Sequence, residues 1–366
     1  MSKSKKKFQS ESTNVRGMPY KYNGPQPTGR KGWSIYLKRE LIKLFYNRRR
    51  HNALRLLPRI LDKNIIHIVD IGAAEGIDKR WQVLKNNLRI SLFEPEQESY
   101  LKLQKLYCND MRVDCFSCAL SETSQELTLN IVEWPRASSI FQPNQSFVNN
   151  TFLRDHFKVV AKVRVPTKSL IDVLPGADIS LIKADVEGYE LPILRGAGSL
   201  LDKCIGLELE VNFNPHIRLG VPLFGEVEIF CRKKGFTLIT LRTPKYMHYL
   251  LPSWKFESKG FMAATDALFF RLPHTVIDMI IKKEWPKYKL AAAASIYLVY
   301  GNFELAYELM RESVQLNLIT ENHVLYRDVM ECVRIYSGYD QFIPYAKMKS
   351  IILRIRGRSE NDALDF

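Results

Sequence analysis

The stretch "IKADVEGYELPILRGA", residues 182–197, ends an apolar run of the kind that forms a buried strand in three carboxylates. Asp185, Glu187 and Glu190 stand around Gly188, and the apolar text then resumes. Burying charge is costly unless it is paired or hydrogen-bonded. The three acids are therefore either solvated loop residues or the lining of a crevice in which something binds.

The surrounding text sets the fold. "IIHIVDIG" (65–72), "RISLFEPE" (89–96), "MRVDCFSCAL" (111–120), "ELTLNIVE" (126–133) and "KVVAKVRVPT" (158–167) read as strands. So do "DISLIKADVE" (178–187), "CIGLELEVNF" (204–213), "FTLITLR" (236–242) and "DALFFRL" (266–272). Helix-like segments separate them, among them "IDKRWQVLKNN" (77–87), "YELPILRGAGSLLD" (189–202) and "GEVEIFCRKKG" (225–235). Strands alternating with helices imply right-handed β-α-β units and a mostly parallel sheet covered on both faces. The expected fold is α/β and doubly wound, over residues 61–272. After Pro273 the strand signals stop, and "YKLAAAASIYLVYGNFELAYELMRESVQLN" (288–317) predicts two helices broken at Gly301-Asn302. Residues 273–366 read as a helical extension, weakly like one tetratricopeptide hairpin at Ala294, Tyr297, Gly301 and Ala306.

Composition narrows the class. Hydrophobic content of 46% and charged content of 25% in 366 residues suit a soluble globular chain. Six cysteines are too few for a disulfide scaffold at this length, no secretory signal opens the sequence, and no apolar run reaches membrane-spanning length. A cytoplasmic, reducing setting is expected. The net charge of +15 is concentrated: residues 1–60 hold 16 Lys and Arg against Glu11 and Glu40, whereas the rest is close to neutral. That distribution makes nucleic acid an unlikely partner of the body, and leaves a basic arm (1–32) as a tether. In residues 33–60, Ile35, Leu37, Leu41, Leu44 and Phe45 recur at helical spacing among basic side chains. This helix is expected either to pack on the domain or to lie on an anionic inner membrane surface.

In an open α/β sheet, ligands bind outside the carboxyl ends of the strands. The first strand ends "VDIGAAEG", with Asp70 last and Gly72 and Gly76 flanking a turn. Glycine there lets a ligand sit against the backbone. The next strand delivers Glu94, a carboxylate with the reach to accept both hydroxyls of a ribose. G-x-x-x-G with Asp70 and Glu75 nearby is not a dinucleotide fingerprint, and the acids disfavour a pyrophosphate. They suit a cationic nucleoside, S-adenosyl-L-methionine.

The sequence resembles the FkbM-type S-adenosylmethionine-dependent methyltransferases from about Ile65 to Leu272. The carriers are "VDIGAAEG" (69–76), "LFEP" (92–95), "CALSE" (118–122), "SSI" (138–140), "VPTKSLIDVL" (165–174), "IKADVEGYELPILRGA" (182–197) and "LELEV" (207–211). Ala184 and Glu75 depart from the family's usual residues without removing a functional side chain. The resemblance implies a seven-stranded Rossmann-like sheet and O-methylation of a sugar hydroxyl or a polyketide-type alcohol. It also implies cofactor contacts from Ala73, Pro95, Ala119 and Asp185 beside Asp70, Gly72, Gly76 and Glu94. The acceptor is expected to be a glycan or small molecule. Asp185 is the first candidate for the base that takes the hydroxyl proton, with Glu187, Glu210 and His216 behind it. Of Glu208 and Glu210, only one is expected to face the crevice. A divalent cation held by Asp185 and Glu210 is the less favoured route. An RNA-modifying enzyme tethered by its arm, and a non-catalytic scaffold, are the alternatives.

Overall fold

A computed structural model of the chain describes residues 47–250 and 260–338. Seven strands form the central sheet: β1 (Ile66–Ile71), β2 (Leu88–Phe93), β3 (Val113–Phe116), β7 (Leu181–Ala184), β8 (Gly206–Asn212), β9 (Thr237–Met247) and β10 (Phe261–Phe270). Their order is β3-β2-β1-β7-β8-β10-β9. Six share one direction, and β10 alone is reversed, antiparallel to both neighbours. All residues of β1 and β8 are buried, as expected of strands covered on both faces. Chain order reverses between β1 and β7, so the crevice opens there, at the carboxyl ends of both strands.

Alternation along the strands divides the core. Ile66, Ile68, Leu181, Leu268 and Phe270 face one layer, while Val69, Ile71, Ile182, Leu207, Leu209 and Phe269 face the other. The first layer holds α1 (Leu57–Leu61), α2 (Gln97–Tyr107), α5 (Pro273–Ile281), α6 (Lys289–Tyr300), α7 (Phe303–Gln315) and α8 (Val324–Ser337). The second holds α3 (Glu190–Gly196) and α4 (Phe224–Lys233). The helices after Pro273 are thus one face's cover. Gly301, in the left-handed region at φ 87°, breaks α6 from α7 where the sequence predicts.

Residues 53–61 belong to the same layer. Ala53, Leu54, Leu57, Ile60 and Leu61 are buried, Arg59 pairs with Asp328 at 2.7 Å, and Cys332 Sγ donates to the Ala53 carbonyl at 3.1 Å. The apolar side of this stretch therefore faces protein; residues 33–46, on which the membrane reading also depends, lie outside the described residues. No helix among the described residues is long and apolar enough to cross a membrane.

Three expectations need correction. Residues 111–120 are not one strand: β3 ends at Phe116, and β4 (Ala119–Ser121) joins a different sheet. That second sheet, β4-β6-β5, contains β5 (Gln125–Val132) and β6 (Val159–Ser169), which are absent from the central sheet. The helix expected over 77–87 is instead a 3-10 segment, Lys79–Asn87, broken at Lys85 with φ 50°. Tertiary anchors override its helical periodicity: Trp81 and Leu84 are buried, and Asn87 donates to the carbonyls of Asp62 and Asn64 at 2.8 Å.

Candidate active site

Three loops meet at the crevice, each fixed by a backbone tie. After β1, Gly72 and Ala73 donate to the Phe93 carbonyl at 3.0 and 3.1 Å, which locks the glycine turn to the end of β2. Gly72 has φ 85°, and a Cβ there would collide with the Asp185 carbonyl oxygen. Only glycine permits this approach. Gly76, at φ 76°, sits against the Tyr107 hydroxyl, which accepts from Ile77 N at 2.9 Å. After β7, Asp185 N donates to the Ile71 carbonyl at 3.0 Å.

The cofactor-side acids occupy different settings. Asp70 is buried and receives Lys183 Nζ at 2.8 Å; burial pushes its carboxyl above the usual range, with Lys183 opposing. Glu94 is buried at the end of β2, and burial raises its carboxyl too. Its Oε1 accepts from Glu96 N at 2.9 Å, and Oε2 has no hydrogen-bond partner among the described residues. Ala73 is buried in the turn, whereas Pro95 is exposed just beyond Glu94. Ala119 begins β4, in the smaller sheet. Glu75 pairs with Arg136 at 2.6 Å on the surface.

Facing these, Asp185, Glu187 and Glu210 bring carboxylate oxygens within 4.8 Å of one another. Such crowding needs cations. Arg218, itself buried, pairs with Glu187 at 2.6 Å and donates to the Ala137 carbonyl at 2.9 Å. Lys245 pairs with Glu210. Burial is the main influence raising the Glu210 carboxyl, followed by Glu187 and Asp185. Against the burial that works to lower it, Glu210 and its neighbours hold the Lys245 ammonium above its ordinary range. Lys245 is accordingly a fixed positive charge among carboxylates. Asp185 differs from the other two: it is exposed, and its carboxylate makes no ion pair among the described residues, with Lys183 and Lys245 acting on it only at longer range.

His216 is not in this cluster. It lines an open recess of about 850 Å³ with Asn144, Phe147, Arg154 and Tyr249, its ring 5.5 Å from that of Phe147. The recess adjoins the crevice through a shared wall, because Asn144 N donates to the Ile217 carbonyl at 2.9 Å and Arg218 turns the other way. Of Glu208 and Glu210, only Glu210 joins the crevice cluster, but not because the two alternate in direction. Residues two apart on a strand share a face, and both side chains lie on the side of Lys183 and Lys245. Glu208 is taken up by Arg80 and Arg242.

Glu190 turns back from the first turn of α3. Its Oε1 accepts from Val186 N at 2.9 Å and Gly188 N at 3.2 Å, so it fixes the loop that carries Asp185 and Glu187. Glu187 takes φ 59° and Gly188 φ 110° in that loop. Burial pushes the Glu190 carboxyl up to about 7 from an ordinary 4.5. Below pH 4.5 both folded and unfolded chains keep the proton. As pH rises from 4.5 to 7 the unfolded chain gives it up first, so stability falls, then levels above 7. Glu190→Gln should remove this share of the slope, about 3 kcal/mol over the window. Urea unfolding at pH 4.5 and 7.5 checks it; an unchanged slope in the variant refutes the assignment.

A glycine turn locked under Asp185, a carboxylate at the end of β2 and an acid-rich loop after β7 form one crevice at the sheet's reversal point. Residues 70–238 match the family model of the methyltransferase FkbM domain. The chain carries an FkbM methyltransferase domain. No curated protein matches it. Among solved structures it is similar to M. capricolum TrmK in complex with S-adenosyl-homocysteine, at 10% identity and TM-score 0.29, covering 77% of this chain and 95% of that one. It is also similar to precorrin-6y C5,15-methyltransferase from Geobacter metallireducens GS-15 (12%, TM-score 0.30, 61% and 87%) and an rRNA methylase from Streptococcus thermophilus (9%, TM-score 0.30, 61% and 96%). Scores this low carry no argument about substrate.

Within the FkbM domain, the residues that sequence reasoning overlooked are the cations. Lys183 interrupts the apolar text of β7, and a lone charge in a buried strand signals a partner; here that partner is Asp70. Arg218 lies within the matched stretch and Lys245 beyond it, and nothing local marks either.

Proposed function

We propose that this chain transfers a methyl group from S-adenosyl-L-methionine to a hydroxyl of a sugar, glycan, glycolipid or secondary metabolite, with Asp185 as general base. The observation that carries the proposal is the contrast among the three clustered acids. Glu187 and Glu210 each face a fixed cation, whereas Asp185 is exposed beside the glycine turn with its carboxylate unpaired among the described residues. That leaves Asp185 available to take a proton from an acceptor hydroxyl.

The residues present fit the donor. The missing Cβ of Gly72 clears the turn, and Glu94 Oε2 remains available to accept hydroxyl groups. Asp70, Gly72, Ala73 and Gly76 would hold the methionine portion and Glu94 the ribose. When bound, the sulfonium supplies an already activated methyl group. The chain's own task is then alignment of the acceptor oxygen and removal of its proton. Lys245 and Arg218 keep Glu210 and Glu187 in place as the acceptor side of the crevice. With two of the three carboxylates already matched by cations, proton transfer to Asp185 is the simpler use of the cluster than a divalent ion.

Glu94→Ala should weaken S-adenosylhomocysteine binding by about 1 to 3 kcal/mol, the cost of losing a charged hydrogen-bonding group. Calorimetric titration measures it. Wild-type affinity in the variant would remove Glu94 from the site. Transfer of labelled methyl to extracted glycans tests the acceptor class directly; labelling of RNA instead would overturn it.

A further inference from the structure

Beneath the glycine turn lies a row of buried charge, of which the proposed reaction uses only Asp70. Asp70, Lys183 and Glu208 sit side by side on β1, β7 and β8, in register across the sheet. Glu208 ends the row and collects donors from three elements. Arg80 Nη1 lies 3.0 Å from both its oxygens, Arg242 of β9 pairs with it, and the Tyr300 hydroxyl donates to Oε2 at 2.7 Å. Arg80 also pairs with Asp78 at 2.6 Å, and Asp78 accepts from Arg80 N at 2.9 Å. Its guanidinium therefore ties the end of the glycine loop to the sheet.

Tyr300 is the last residue of α6, well beyond the matched stretch 70–238. Its ring lies 5.3 Å from the Arg80 guanidinium and 5.5 Å from that of Arg242, with Phe270 edge-on at 5.6 Å. Trp81 Nε1 donates to its oxygen at 3.3 Å. Burial and Glu208 push the phenol far above its ordinary range, so it stays a donor.

We infer that Tyr300 is a positioning residue for the donor-binding loop, acting through Glu208 and Arg80, so that the helical layer after Pro273 completes the site. The inference rests on the reading of residues 70–80 as the donor loop. Its physical basis is the cost of leaving a buried carboxylate oxygen short of a donor. Without the phenol, Glu208 shifts toward its two arginines, and the Arg80 fork no longer holds Asp78 and Glu208 together.

Tyr297 supplies a matched control. It is one turn earlier on α6, more deeply buried than the half-buried Tyr300, and its hydroxyl bonds to the Arg271 carbonyl, outside this network. In the full chain, Tyr300→Phe should raise the S-adenosylhomocysteine Kd about tenfold and the donor KM with it, leaving acceptor KM within about twofold. Hydrogen exchange at amides 72–80 should quicken. Tyr297→Phe should lower thermal stability comparably without either effect. Equal loss of donor affinity in both variants, or none in Tyr300→Phe, would overturn the inference. A wild-type chain that binds no S-adenosylhomocysteine would overturn the donor reading itself, and this inference with it.

Discussion

Asp185→Ala is expected to lower methyl transfer by about 10² to 10⁴-fold, the usual contribution of a positioned base, while S-adenosylhomocysteine affinity stays within about threefold of wild type. The split follows from the geometry. The donor loop meets Asp185 through its backbone: its carbonyl abuts Gly72 and its N–H donates to Ile71. Truncating the side chain leaves both features in place, whereas the carboxylate has no structural partner to lose. Single-turnover assays with labelled donor, paired with calorimetry, measure the two quantities separately. If affinity and turnover fall together, the carboxylate serves donor binding. If neither falls, the base lies elsewhere, and Glu187 or Glu210 becomes the next variant to make.

Gly72→Ala should be more disruptive than any side-chain truncation in the crevice. The new Cβ would meet a carbonyl oxygen of a neighbouring strand end, and backbone held on both sides cannot step away. The residue would also keep φ 85°, which alanine adopts only with strain. Overpacking and strain together should cost about 2 to 5 kcal/mol, with donor binding lost. Gly176→Ala isolates the strain component, since it has φ 72° and nothing within 4 Å of a new Cβ. Urea unfolding of both variants gives the comparison. Equal, small losses would mean that the turn and the Asp185 loop separate freely, contrary to the packing described.

The parts of the site that were legible in the sequence were those set by strand ends. A glycine turn after one apolar run and a carboxylate after the next can be read locally, because both follow from where a strand stops. Asp185, Glu187 and Glu210 could likewise be expected to converge. Their cations could not: Lys245 reaches Glu210 because β9 returns antiparallel beside β10, and text does not record which strand pairs with which. The departure of β6 from the central sheet did leave a mark. "KVVAKVRVPT" places Lys158, Lys162 and Arg164 among valines, and a strand buried on both faces would read as nearly unbroken apolar text. His216 misled because "NFNPH" follows a strand end, yet the loop bends it onto the recess rather than into the crevice.

The contacts of residues 53–61 bear on how the molecule is made. Arg59 and Ala53 bond to Asp328 and Cys332, which follow them by 269 and 279 positions. At about 5 to 20 residues per second, a ribosome finishes these partners roughly 13 to 55 seconds after their mates emerge. Through most of that interval, until α5–α7 emerge, the sheet can assemble while the face they cover stays open to water, with Ile66, Ile68, Leu181 and Phe270 uncovered. The nascent chain must therefore carry a large sticky surface late into synthesis, and a truncation before α5 would release it in that state.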